Sequence, residues 1–77
     1  MRLVSIVVRA DWDADAKVWV ASSNDVEGLA VESATLEQLE PKVLAALSDL
    51  LELNGIQVDL PEIPVHIMAR QLAKLPV

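Results

Sequence analysis

Apolar and other residues alternate from the start of the chain. Over Arg2 to Ala10, Val4, Ile6, Val8 and Ala10 fall on one face at a period of two, and Leu3, Ser5, Val7 and Arg9 on the other. This pattern predicts a strand whose wholly apolar face meets the core. Asp11 to Ala16 breaks the alternation. Asp side chains accept hydrogen bonds from nearby backbone amides, so a turn is expected there. Lys17 to Ser22 alternates again, with Val18, Val20 and Ser22 against Lys17, Trp19 and Ala21. The two segments form a hairpin. Ser23 to Gly28 reads as a second turn, with Gly28 supplying a backbone angle other residues resist. Leu29 to Ala34 makes a short third strand, with Leu29 and Val31 facing one way and Glu32 the other.

The period then lengthens. Thr35-Leu36-Glu37-Gln38 matches a capping box, in which a hydroxyl and an amide satisfy each other's orphan backbone donors. Leu36, Leu39, Val43, Leu47, Leu50 and Leu51 recur at three- and four-residue spacing and share a helix face. Glu37, Gln38, Lys42, Ala45, Asp49 and Glu52 lie largely opposite, and Gly55 stops the helix after Asn54. Pro41 removes one backbone bond, so either the helix kinks there or its first turn is separate; a kink that wraps the helix around the sheet is the expectation. Pro61 and Pro64 open a last extended segment, in which Ile63, Val65, Ile67 and Ala69 alternate with Pro64, His66 and Met68. Proline so near a strand start points to an edge strand. The tail, 70–77, extends this strand, forms one helical turn, frays, or completes a strand across a dimer.

The order β-β-β-α-β defines an α+β fold, a single domain over 1–77 with one helix on one face of an antiparallel or mixed sheet. Nothing covers the other face, which is expected to carry Leu3, Val7, Trp19 and Met68. These residues are the expected interface of a homo-oligomer.

Composition sharpens this picture. A chain of 77 residues has room for one small domain, and 53% hydrophobic content argues against disorder. The apolar excess fits burial against another subunit. The longest wholly apolar run, Val43 to Leu47, is far below the ~20 residues of a membrane span. No apolar leader segment is evident, so a cytoplasmic location is expected. With 12 acidic and 6 basic residues the formal charge is -6, which argues against direct nucleic-acid binding and fits a basic partner.

Candidate chemistry is sparse. There is no cysteine and a single histidine, His66, which excludes disulfides and His/Cys metal sites. Asp11, Asp13 and Asp15 are spaced like calcium ligands. An EF-hand needs glycine at its sixth position and glutamate at its twelfth. Counted from Asp11, those positions hold Ala16 and Ser22. The carboxylates show no convergence, the serines lack a glycine elbow, and no glycine-rich phosphate loop exists. Catalytic residues, metal ions and cofactors are therefore not expected. Trp12 stands between Asp11 and Asp13 in the expected turn, the composition of an interface anchor for a basic partner.

The residues Asp13-Ala14-Asp15-Ala16, Val18-Trp19-Val20-Ala21, Asp25-Val26-Glu27-Gly28 and Ala34-Thr35-Leu36-Glu37 follow one another in a recognisable order. Together with Trp12-Asp13, Ala16 and Leu51-Glu52-Leu53-Asn54, this run resembles the HicB-like antitoxin superfamily, and within it a short subfamily of unknown function. The resemblance covers Leu3 to Val65. It implies a partial ribonuclease-H-like fold without that enzyme's carboxylates. It also implies an antitoxin role: binding and blocking a small basic toxin of HicA type that cleaves messenger RNA. Asp11, Asp13, Asp25 and Glu27 would supply charge to that contact and Trp12 the apolar anchor. Only Arg70 to Val77 follows the last strand, too little for the DNA-binding domain many HicB proteins carry, so operator binding is not expected. The alternatives are an oligomeric structural or assembly protein with no toxin partner, and a degenerate ribonuclease-H-like enzyme.

Overall fold

The computed structural model describes residues 3–58 and 61–77. Its elements are β1 (Ile6–Asp13), β2 (Val18–Ser22), β3 (Val31–Ser33), α1 (Leu36–Leu53) and β4 (Val65–Arg70). They form the expected α+β arrangement. The sheet order is β3-β2-β1-β4. β1 and β3 each run antiparallel to β2, and β4 runs parallel to β1, so the sheet is mixed. The crossover through α1 is what allows β4 to return parallel at the opposite edge.

Alternation decides which side chains enter the core. Ile6, Val8 and Ala10 of β1 and Ala21 of β2 are fully buried, beneath Leu39, Val43 and Leu47 of α1. Val26 and Leu29 are buried with them, although both lie in the β2–β3 connection. A loop thus contributes to the core; the sequence pattern places Val26 in a turn and Leu29 in a strand.

The strand's beginning departs from expectation. Val4, assigned to the core face, is 75% exposed. β1 starts at Ile6, and the Leu3 N–H donates instead to the Gln57 carbonyl. The chain has left the sheet there, and Leu3 packs on the core rather than on the open face. Arg2, the expected first strand residue, lies outside the described residues.

The hairpin is also longer than expected. β1 continues through Asp11, Trp12 and Asp13, and the turn is confined to residues 14–17. Asp13 caps that turn: its Oδ1 accepts the N–H groups of Asp15 and Ala16, and its carbonyl accepts Lys17 N–H. Lys17 closes the turn in the left-handed region at φ 58°.

α1 begins where the capping pattern places it. Thr35 Oγ1 accepts the Gln38 N–H at 3.1 Å. The reciprocal half of the box is not made; the Gln38 side-chain oxygen Oε1 accepts the buried Ser33 hydroxyl instead. The helix runs through Pro41 as one element, so the first turn is not separate. β4 is an edge strand, as its flanking proline suggests. Residues 71–77 have no regular structure. Among the described residues, no helix is long and apolar enough to cross a membrane.

Candidate protein-binding surface

β1 divides the residues singled out by the sequence between two surfaces. Ala10 opposes Ala21 and Trp12 opposes Trp19, so both indoles share the helix-facing side of the sheet. Asp11 and Asp13 point to the open side, opposite Val20 and Val18. Trp12 and its flanking carboxylates are neighbours in sequence and opposed in space, because strand side chains alternate. The expected cluster of an indole with both carboxylates is therefore not formed. Trp19 is likewise corrected: it packs against the core from the helix side and does not lie on the open face.

The two half-buried indoles meet at a centroid distance of 5.3 Å and an interplanar angle of 58°. This tilted geometry matches the ring quadrupoles better than face-to-face stacking. The pair forms one wall of an open groove of about 470 Å³. Thr35, Leu36 and Glu37 of the helix start form the other wall, and Gln71 also lines it. The groove exists because β1 and β2 extend past the end of α1.

Three of the four expected contact carboxylates have internal partners. Asp11 Oδ1 accepts Arg70 Nε at 3.2 Å in an exposed pair between β1 and β4. Asp13 caps the hairpin. Asp25 Oδ2 accepts the Val7 N–H, while the Ser23 hydroxyl donates to the Val7 carbonyl. Ser23 and Asp25 thereby continue the β1–β2 ladder with side chains after β2 has ended. Glu27 is exposed, and its backbone carbonyl accepts Asn54 Nδ2. Asp25 and Glu27 line a separate depression with Asn24, Asn54 and Ile56, remote in the sheet from Trp12.

Of the expected oligomer residues, Val7 and Met68 do lie on the open face, beside Arg9, Asp11, His66 and Arg70. Val7 is 39% and Met68 58% exposed. That face is mixed, with apolar residues set among charges. A second uncovered apolar strip lies on the helix side. α1 packs over β3 and β2, leaving a trough between its first turns and β4 that is lined by Leu36, Glu40, Val65, Ile67 and Ala69. Among the described residues, no group of three or more His, Asp or Glu side chains gathers where it could hold a metal ion.

These features define a small α+β module, with one helix on a four-stranded mixed sheet and an aromatic groove at the helix start. A family model for a domain of unknown function, DUF1902, matches residues 5–76, and the chain belongs to that family. It is similar to a hypothetical protein from the extremely thermophilic bacterium Thermus thermophilus, known from its crystal structure, with 45% identity and a TM-score of 0.69. The match covers 95% of this chain and 99% of that one. No curated protein matches the chain.

Proposed function

We propose that the protein is a non-catalytic binding module of HicB-like kind that acts in the cytoplasm by neutralising a small basic, RNA-cleaving toxin of HicA type. The observation that carries this reading is the Trp12–Trp19 pair, half-buried beside a groove that Glu37 also lines. Aromatic walls offer contact area at low entropic cost, and they are the usual anchors of protein contacts. A net charge of -6 favours encounter with a basic surface. The β-β-β-α-β order agrees with the fold that the HicB resemblance implies, although fold alone does not carry function. In this mechanism an apolar side chain of the toxin enters the groove, and the acidic module covers the surface that would otherwise hold RNA.

The test is titration of a basic protein encoded beside this one, read by tryptophan emission and calorimetry. Trp12→Ala weakens binding well beyond tenfold. Asp11→Lys, on the opposite face, acts through charge, weakens it less than Trp12→Ala, and its effect grows as the salt is lowered. Equal affinity for Trp12→Ala and the parent removes the groove from the contact.

A second reading is self-assembly without a toxin. It is favoured by the exposed apolar side chains of the tail, Leu72, Leu75 and Val77.

A further inference from the structure

Residues 71–77 leave the body of the molecule. Leu72 and Leu75 are 86% and 84% exposed, and Val77 is fully exposed. The Cα radius of gyration is 14.0 Å and the longest extent 50 Å, against about 11–12 Å expected for the radius of a compact chain of this length. Three large apolar side chains held in solvent gain nothing from the protomer that bears them.

The same protomer has an unfilled counterpart. β4 is the last strand in the sheet order, so its outer edge is unpaired among the described residues. Its Val65, Ile67 and Ala69 face the helix side, and they line the trough beside Leu36 and Glu40. The tail follows β4 directly and is of similar length, 7 residues against 6. It also continues the strand's alternation: Ala73, Leu75 and Val77 share the parity of Val65, Ile67 and Ala69.

We infer that two copies of this chain exchange their tails, each tail pairing antiparallel with the free edge of the other copy's β4. A two-fold axis beside Gln71 keeps both helices on the same side of a joined sheet. It sets Leu75 beside the second copy's Ile67, Val77 beside its Val65, and Lys74 beside its Met68. Leu75 and Val77 then extend the apolar strip of the trough. Pro76 is accommodated because the added strand is itself an edge. The inference deepens the self-assembly reading and holds whether or not a basic protein binds the groove.

The experiment is mass by light scattering on the full chain, with two sets of variants. The parent is a dimer. Leu75→Asp with Val77→Asp weakens self-association at least tenfold and leaves the helical part of the far-ultraviolet spectrum unchanged, since both side chains are free of the protomer's fold. Met68→Cys with Lys74→Cys, in a chain with no other cysteine, gives a disulfide-linked dimer on oxidation. Six positions apart in an extended segment, about 20 Å, the two thiols cannot join within one chain. A monomeric parent overturns both the exchange and the self-assembly reading. A dimer indifferent to the tail variants, or one that fails to crosslink, overturns the exchange alone.

Discussion

The Asp25 carboxylate accepts the Val7 backbone N–H at 2.8 Å across 18 positions of chain. With the Ser23 hydroxyl on the Val7 carbonyl at 2.7 Å, it replaces the two backbone bonds that β2 would have made had it continued. The Asp25 N–H in turn donates to the Ser23 hydroxyl oxygen, which fixes the pair against each other. The chain can thus turn away from the sheet and send Val26 into the core without orphaning β1.

Asp25→Ala is expected to destabilise the fold by about 1–2 kcal/mol, the cost of losing a charge-assisted bond to a backbone donor. In a domain of this size each kcal/mol lowers the thermal midpoint by roughly 4–8 °C. Asp25→Asn keeps an acceptor and loses about half as much. Thermal unfolding of the two variants checks the order. Equal midpoints for Asp25→Asn and Asp25→Ala would show that charge, not the bond to Val7, is what matters.

The indole pair makes a separate prediction. At 5.3 Å the two rings couple excitonically, and replacing either Trp12 or Trp19 by Phe abolishes the resulting couplet in circular dichroism. A double-mutant cycle with alanine gives a coupling of about 0.5–1.5 kcal/mol. Strictly additive losses would mean that the rings do not touch in solution.

The sheet and helix were readable because their periods are long and clean: three core residues of β1, the leucine stripe and the Thr35 cap all follow from spacing. Four features were not. The alternation through Asp11-Trp12-Asp13 is a strand pattern, but aspartate's turn preference masks it. Strand pairing overrides that preference because both carboxylates face the open side while Trp12 meets Trp19. Val26 reads as a turn residue because loop burial has no period. The trough beside β4 depends on where α1 lies across the sheet, which helix spacing does not specify. The groove follows directly from the Trp12–Trp19 pairing, so it became visible only once the hairpin register was known.

The helix start offers a test of how its polar groups are shared. Thr35→Ala removes the cap on the Gln38 N–H and costs about 1 kcal/mol. Gln38→Ala strands the buried Ser33 hydroxyl, which costs about 1–3 kcal/mol. Ser33→Ala in that background removes the orphan and recovers most of the loss. Urea unfolding of the single and double variants decides it; a double variant less stable than Gln38→Ala would rule out the Ser33–Gln38 bond as the cause.

The two glycines separate backbone strain from crowding. Gly28 has φ 90° and Gly55 φ 63°, both in the region L residues avoid. An added Cβ at Gly28 meets Leu50 Cδ2 at 3.3 Å, whereas at Gly55 nothing lies within 4 Å. Gly55 is also close to the left-handed minimum that asparagine tolerates, and Gly28 is well beyond it. Gly55→Ala is therefore expected to cost about 1 kcal/mol, and Gly55→Asn about half that or less. Gly28→Ala carries the larger backbone strain and forces Leu50 aside as well, for about 2 kcal/mol. Denaturant midpoints should rank parent, Gly55→Asn, Gly55→Ala and Gly28→Ala in descending order. Equal losses for the two alanine variants would mean that the connection carrying Gly28 relaxes freely, and with it the anchoring of Val26 and Leu29 under α1.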